Sequence, residues 1–375
     1  MDTSGLPHHG IGDTTGAGML VASFLPGLRM IRPILAAACA VALFVPVAQA
    51  QAPYSRFDEA PVAQQDTSAD RTAWRSWSQR SAAALAATGQ PRELAFAAVL
   101  RGLADANLEQ PDTDAPSQPV TPDAQASAWR RDAAARAGND VLANALLAYG
   151  ADEATRLRAA QRWLGNDSQN LAPLLVRGGS VDALLADARV ATRFELGMLE
   201  QVRWMQAALL RTPPTPAERT AFADAGEFVP TEHAAITAMG LWAAVAFPGL
   251  DPLMQGCDAD ALGANLAHAR DCRHVAGIMA NGSDTQLGEM LGLALLERLA
   301  TTQAERADAQ ARRRSFDWRM FEWGRANAAL PRDGAGQFVR FLADPSVRTE
   351  ADLIARALQE AGIALEPPAG WQPPR

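Results

Sequence analysis

The stretch RAAQRWLGNDSQNLAPLLV, residues 158–176, contains the pattern on which the predicted fold rests. Its apolar and small residues up to position 164 follow the spacing of one helix. The glycine and asparagine at 165–166 predict a turn, because both tolerate the left-handed conformation that ends many helices. Asp167 or Ser168 is expected to begin a second helix, since short polar side chains cap helix N-termini well. The stretch therefore predicts two helices joined by a tight turn.

This unit is repeated along the chain. An earlier copy lies 27 residues before it, with Gly138 in the place of Gly165. The other corresponding positions are Arg131 and Arg158, Ala137 and Leu164, Asn139 and Asn166, Asp140 and Asp167, Ala145 and Ala172, and Leu147 and Leu174. Looser versions occur at residues 89–91 and 281–284, where glycine again stands near a predicted helix end. The repetition predicts a series of helix pairs.

Composition favours a helical fold throughout. Alanine, leucine, arginine and glutamate are abundant, and these residues lose little side-chain freedom in a helix. Aromatic residues make up only 6% of the chain, so few strand-forming positions are available. We therefore predict an all-α protein, built either as a solenoid of helix hairpins or as an irregular helical array. A helix pair of this kind cannot bury its apolar face alone, so neighbouring pairs must stack.

The segment AAQRWLGNDSQNLAPLL, residues 159–175, resembles the junction between two repeats of tetratricopeptide-like alpha-solenoid proteins. This resemblance implies stacked helix hairpins with a concave surface that holds a peptide or a partner helix. The chain departs from the family pattern in its irregular period and in the position of Pro173 within the first turns of the second helix. The whole chain is also similar to the uncharacterised, alanine-rich exported proteins of GC-rich Gram-negative bacteria, a likeness that implies no activity.

The N-terminal region has the organisation of a secretory signal peptide. In residues 29–50, RMIRPILAAACAVALFVPVAQA, Arg29 and Arg32 supply the positive segment. Residues 34–45 form an apolar run of 12 residues, too short to span a bilayer comfortably. The Ala-Gln-Ala sequence that ends at Ala50 is a small-residue cleavage site. We therefore expect cleavage after Ala50 and export to the periplasm or the medium of a Gram-negative bacterium.

Two details of the leader have alternatives. Met30 is a better initiator than Met1, because residues 2–28 have no targeting pattern and form an over-extended start. Cys39 follows a run of small residues that weakly resembles a lipoprotein cleavage box, so lipid anchoring at Cys39 is the alternative to a start at Gln51. No apolar run of transmembrane length follows residue 50.

The charge balance excludes one class of partner. All 34 basic residues are arginine and lysine is absent, a bias that GC-rich codon usage explains. With 42 acidic residues the formal net charge is −8. A nucleic-acid-binding protein needs a basic face that displaces counterions, so no nucleic-acid partner is expected.

Breaker residues divide the mature chain. The sequence TPPTP at residues 212–216 is the strongest breaker in the folded region. We predict a flexible arm at 51–69, an N-terminal helical-repeat region at 70–211, a C-terminal helical region at 217–362 and a tail at 363–375. Trp371 in the tail is a candidate for docking onto the fold.

The mature chain keeps two cysteines, Cys257 and Cys272. In an exported protein such a pair predicts a disulfide. A bridge between positions 15 apart is worth about 3 kcal/mol in the chain-entropy model. The alternative is a metal site, in which His268, one helical turn before Cys272, joins both cysteines and His274. Finger-type spacing is absent, so no metal is predicted.

Acidic residues near apolar helices are the remaining catalytic candidates. Glu232 and His233 open a helix, either as an acid–base pair or, as we expect, with the glutamate favourable to the helix dipole. Glu289 and Glu297 flank an apolar helix, but no lysozyme-like segment accompanies them. No nucleophile, phosphate-loop or dinucleotide motif occurs, so no catalytic residue and no cofactor is predicted.

Arginines 312–314 lie close to Trp318 and Trp323. They form either a surface for an anionic glycan or lipid or, as we expect, a solvated helix face paired with Glu305 and Asp308. The function predicted for the whole chain is that of an envelope scaffold that binds a protein or peptide. The alternative is an envelope enzyme that acts on cell-wall polymer through an unrecognised acidic site.

Overall fold

The computed structural model describes residues 67–106, 123–149, 152–223, 228–258, 262, 265–328 and 334–374. The predicted leader, with Cys39, and the arm up to residue 66 lie outside this part of the chain. Within the described ranges the regular elements are sixteen α-helices and one 3-10 turn, without a β-strand. The all-α prediction is therefore confirmed, while the solenoid arrangement stays a prediction. None of the described helices is both long enough and apolar enough to cross a bilayer.

Eight helices make up the first half of the fold. They are α1 Thr67–Ala87, α2 Pro91–Ala106, α3 Ala124–Arg136, α4 Val141–Ala148, α5 Glu153–Asn166, α6 Ala172–Arg177, α7 Val181–Asp187, which continues into a 3-10 turn at Ala188–Val190, and α8 Met198–Leu210. Asp123, Asp140, Asp152 and Ser180 each accept a hydrogen bond from the backbone N–H three residues on. These local caps begin α3, α4, α5 and α7.

Eight more helices follow. They are α9 Pro216–Phe222, α10 Pro230–Val245, α11 Asp251–Gly256, α12 Leu266–Gly282, α13 Gln286–Leu299, α14 Gln303–Ala328, α15 Gly334–Ala343 and α16 Glu350–Glu360. Thr215 and Thr349 start α9 and α16 with reciprocal capping boxes. Residues 248–256 hold two prolines, yet their second part, from Asp251, is helical. Pro252 there occupies the first turn of α11, where its missing N–H costs nothing.

The stretch at 158–176 folds as two helices, but with a longer connection than predicted. Gly138 has the expected left-handed φ of 48° and follows α3. Gly165, its counterpart, lies inside α5, and α6 begins only at residue 172. The connection is held elsewhere, since the Leu171 N–H donates to the Arg193 carbonyl at 2.9 Å. Pro173 then falls in the first turn of α6, a position that suits it.

Packing joins helices that are distant in sequence as well as neighbours. Helix α9 packs on α1, α10 packs on α8 and α15, and α14 packs on α13 and α16. The Trp77 indole N–H donates to the Thr212 carbonyl at 2.8 Å, and Arg80 pairs with Glu218 at 2.6 Å. One apolar core contains buried residues from both sides of 212–216. The division at that point stays a prediction, and the core is continuous across it.

Arginines bridge helices through their C-terminal carbonyl groups. Arg162 donates to the Ala134 carbonyl of α3 at 2.6 Å. The same contact is made by Arg156 to Val176 of α6, by Arg203 to Leu342 of α15, by Arg273 to Leu299 of α13 and by Arg312 to Ala280 of α12. A helix C-terminus carries partial negative charge, so each guanidinium both satisfies a carbonyl and complements that charge.

Helices α12 and α13 approach each other closely at a glycine. A Cβ on Gly292 would lie 2.7 Å from the Met279 carbonyl carbon and 2.8 Å from the Ala280 Cα. These are backbone atoms of α12, which cannot move aside without separating the helices. Glycine therefore sets the distance between α12 and α13.

Candidate functional site

The C-terminal tail returns along helix α14 and is fixed to it by side chains of that helix. The Trp318 indole N–H donates to the Ala364 carbonyl at 2.8 Å. One turn earlier, the Ser315 hydroxyl donates to the Glu366 carboxylate at 2.8 Å. The tail is thus held along α14 by its backbone and by one acidic side chain.

A tight turn brings the end of the tail back onto α14. The Trp371 N–H donates to the Pro368 carbonyl at 3.1 Å, and Gly370 adopts the left-handed φ of 80° that this turn requires. The Trp371 ring then lies 5.3 Å from the Trp318 ring and 6.4 Å from the Phe321 ring, measured between centroids. The predicted docking of Trp371 is confirmed.

Between the tail and α14 lies an open cavity of 430 Å³, which we call the clasp groove. Its wall is formed by Ala311, Arg314, Ser315 and residues 366–372. A second cavity of 510 Å³ lies beside α16 and is lined by Ser346, Val347, Asp352, Ala355, Arg356, Gln359 and residues 363–365. Phe321 and Leu365 are each 42% exposed, which leaves apolar surface next to these cavities. The arrangement provides aromatic and guanidinium contacts for binding.

The arginine run of α14 separates into different roles. Arg312 donates to the Asn281 side chain at 2.7 Å, and Arg313 pairs with Asp317 at 2.8 Å. Neither pairs with Glu305, whose carboxylate instead accepts the Thr301 N–H at 2.7 Å. Arg314 is exposed in the clasp groove and has no partner among the described residues. Among the described residues, none of the three arginines therefore makes the expected pair with Glu305 or Asp308.

The two tryptophans near this run also differ. Trp323 is 4% exposed and belongs to the core, whereas Trp318 is half-buried and holds the tail. Only Trp318 of the two contributes to the surface beside the clasp groove.

A buried acidic junction lies where α8, α13 and α16 begin. The Asp284 carboxylate accepts the backbone N–H groups of Leu196 and Gly197 at 2.8 Å and that of Met198 at 3.1 Å. Gly197, at the N-cap of α8, has no side chain that could cap the helix. Asp284 therefore caps α8 from a distant part of the chain. Burial raises the pKa of Asp284 to about 6, although these N–H donors act in the opposite direction.

Glu350 and Glu289 complete the acidic junction. The Glu350 carboxylate accepts the Gln286 N–H at 2.7 Å and so caps α13. Its carboxyl group is enclosed, although part of the residue is exposed. Burial, together with the nearby carboxyl groups of Asp284 and Glu289, raises the pKa of Glu350 to about 7. Burial also raises the pKa of Glu289, against the opposing effect of Arg319 at 2.7 Å.

Sequence reasoning identified only Glu289 of this junction. Glu297, the other predicted candidate, lies near the opposite end of α13. Asp284 stands before a helix in a pattern that predicts a local cap, while its actual partners lie 86 to 88 residues away. Nothing in one sequence indicates such a pairing. Asp284 and Glu350 accept backbone N–H groups at helix starts, and Glu289 pairs with Arg319. All three carboxyl groups therefore have structural partners.

Glu232 and His233 make no ion pair with each other in the described part of the chain, and the His233 ring is buried among aromatic side chains. Glu232 lies in the first turn of α10, as expected for a favourable interaction with the helix dipole. His233 is 8% exposed and packs with Phe222 at 4.6 Å, Trp77 at 5.0 Å and Phe228 at 5.1 Å, measured between ring centroids. Burial lowers the pKa of His233 to about 4, so the imidazole is neutral at physiological pH.

The structure places Cys257 and Cys272 at disulfide distance, with their Cα atoms 5.6 Å apart. His268 contacts the Gly256 carbonyl, just before Cys257, at 3.0 Å and the Asp182 carboxylate of α7 at 3.1 Å. The described residues contain no group of three or more His, Cys, Asp or Glu side chains arranged to hold a metal. The region around the cysteines therefore joins α7, α11 and α12.

Comparisons with known proteins do not assign the chain: no protein-family model matches it, and no curated protein or solved structure matches it significantly.

Proposed function

We propose that this chain is an exported scaffold of the bacterial cell envelope that binds a protein or peptide through the clasp groove. In this proposal the leader is removed after Ala50, and the mature protein acts in the periplasm or outside the cell. The helix pairs act as a tetratricopeptide-like framework for the binding surface. No nucleic acid and no cofactor takes part.

The exposed aromatic surface on α14 supports this proposal most directly. Trp318, Phe321 and Trp371 lie together beside a cavity of 430 Å³. Partially exposed aromatic side chains are enriched at binding sites, because they bury a large area with little loss of side-chain freedom. The cavity is within the usual volume range of ligand sites, about 300–1,000 Å³. The tail turn makes this surface concave.

The compartment is supported by two features. The leader at residues 29–50 has the charge, apolar run and cleavage site of a signal peptide. The cysteine pair at disulfide distance is compatible with an oxidising compartment. Intact mass of the exported protein tests this: a polypeptide that begins at Gln51 supports it, and an acylated Cys39 at the N-terminus would contradict it.

Binding is tested by affinity capture from the envelope fraction, with residues 51–375 as bait. The variant Trp371→Ala removes one side of the aromatic surface at the end of the chain, where folding is least affected. Trp129→Ala is the matched control, because Trp129 on α3 is also half-buried but packs under Arg101 of α2, away from the clasp groove. We expect a stoichiometric partner with wild type and the control, and its loss with Trp371→Ala. A partner retained equally by all three proteins would refute the clasp groove as its site.

A second candidate function is an enzyme that acts on cell-wall polymer through the acidic junction. It is favoured by one observation: the pKa of Glu350, raised to about 7 by burial and by two nearby carboxyl groups, suits a general acid. Release of soluble fragments from purified peptidoglycan by wild type, and its loss with Glu350→Gln, would establish the enzyme. Equal absence of release from both proteins would favour the scaffold.

A further inference from the structure

The clasp groove contains one charge that the fold does not use. Arg314 projects from α14 into the groove wall and has no partner among the described residues, whereas Arg312 and Arg313 on the same turn are engaged. The other charged residue of the described wall, Glu366, is already bound by Ser315 at 2.8 Å. The groove therefore offers a free guanidinium to an incoming group.

The tail shows what chemistry this face of α14 accepts. Its segment ALEPPAG, residues 364–370, is acidic and contains two consecutive prolines. The helix binds it through a backbone carbonyl at Trp318 and through a carboxylate at Ser315. Both contacts use acceptor groups of the bound segment, and neither needs a backbone N–H from it. Proline has no N–H to leave unsatisfied, so proline-containing segments suit such a surface.

We propose that the clasp groove binds an extended, proline-containing segment of a partner protein, and that a carboxylate of this segment pairs with Arg314. The proposal rests on the scaffold function and specifies the partner's chemistry. A guanidinium accommodates both oxygens of a carboxylate, which gives the pair direction as well as charge. Prolines keep the segment extended before binding, so little conformational entropy is lost, and their rings pack on aromatic side chains such as Trp371.

The test is a titration of residues 51–375 into two fluorescein-labelled peptides, followed by fluorescence anisotropy. One peptide is Ala-Pro-Glu-Pro-Pro-Ala with blocked ends, and the other has glutamine in place of glutamate. We expect wild type to bind the glutamate peptide about tenfold more tightly, which corresponds to about 1.4 kcal/mol. Arg314→Gln should bind both peptides alike. Arg306→Gln, at an exposed position of the same helix, is the matched control and should keep the preference.

Two outcomes would overturn this inference. One is equal binding of the two peptides by wild type. The other is a preference that persists in Arg314→Gln. Circular dichroism establishes that each variant is folded, and Arg314 is exposed, so loss of preference is not loss of structure. If neither peptide binds while affinity capture gives a partner that Trp371→Ala loses, the scaffold function stands and the acidic, proline-containing segment is wrong. If both experiments fail, the scaffold function fails as well.

Discussion

The cap that Asp284 provides for α8 allows a sharp test of how this fold is held together. The substitution Asp284→Ala removes the acceptor of three backbone N–H groups, those of Leu196, Gly197 and Met198. Leu196 and Met198 are buried, at 0% and 3% exposure, so water cannot replace the carboxylate there without local opening. The donors would be left unsatisfied at the start of α8, which packs on α10.

The expected cost follows from these contacts. A hydrogen bond to a charged group is worth about 1.5–3 kcal/mol, so three of them set an upper limit near 4.5–9 kcal/mol. Burial raises the pKa of Asp284 to about 6, which shows that desolvation of the carboxylate offsets a large part of this gain. Removing one side of a buried charged network typically costs about 3–5 kcal/mol. We expect Asp284→Ala to lower the free energy of unfolding by that amount.

Urea unfolding at pH 7, followed by circular dichroism at 222 nm, measures this change. Asp152→Ala is the matched control, because Asp152 caps α5 locally through the Thr155 N–H at 3.0 Å. Loss of a local cap costs about 1 kcal/mol, so the control should be much closer to wild type. Hydrogen exchange should also become faster at the Leu196 and Met198 amides in Asp284→Ala. A loss below about 1 kcal/mol, or one no larger than that of the control, would show that the distant cap is unimportant.

Three further predictions concern packing, pH and the cysteines. Gly292→Ala forces α12 and α13 apart and should destabilise the protein by about 1–3 kcal/mol in the same urea assay. Gly324→Ala is the control, because a Cβ there meets nothing within 4 Å, and it should be neutral or slightly stabilising. Equal changes in stability for Gly292→Ala and Gly324→Ala would refute the close approach of α12 and α13 at Gly292. In the folded protein the pKa of Glu350 is about 7, against an ordinary value of 4.5. The folded state therefore binds this proton more tightly than the unfolded state. The resulting stabilisation is fully present below pH 4.5 and is lost as the pH rises towards 7. Between pH 5 and 8 the free energy of unfolding should therefore decrease by about 1–2 kcal/mol less in Glu350→Gln than in wild type. The same decrease in both proteins would contradict the raised pKa of Glu350. Thiol titration of unfolded, unreduced protein should find neither Cys257 nor Cys272 reactive, whereas two reactive thiols would refute the bridge.

Much of the helical pattern is predictable from the sequence because the forces that set it act over short distances. Apolar residues that recur every three or four positions define the buried face of a helix, and side chains such as Asp140 or Thr215 cap it three residues away. The pairing of Cys257 with Cys272 is equally direct, since they are the two cysteines outside the predicted leader and the structure places them at disulfide distance. Gly165 shows the limit of such reasoning: it matches Gly138 in sequence, yet its connection is set by a contact with Arg193.

The candidate sites depend on contacts between residues far apart in the chain, and no local sequence pattern predicts these contacts. Glu289 stood out only as an acid beside an apolar helix, and its place near Glu350 follows from the contact between the starts of α13 and α16. The arginine run predicted a charged surface, but which arginine remains free was decided by acceptors on α12 and by Asp317. A single sequence carries no signal for such contacts, because a contact between distant residues leaves no pattern among the neighbours of either residue in the sequence.

By itself, the sequence determined the class of fold, the position of most helices and the local caps, and it predicted the proximity of Cys257 and Cys272, because each depends on residues close together in the chain or on the small number of cysteines. Only the tertiary structure decided that Asp284 begins α8, that Gly292 sets a helix–helix distance and that the tail forms a groove against Trp318 with Arg314 free in its wall. The physical reason is the same in each case. These features depend on atoms brought within about 3–5 Å by packing of distant segments, at a distance where hydrogen bonding and van der Waals contact act.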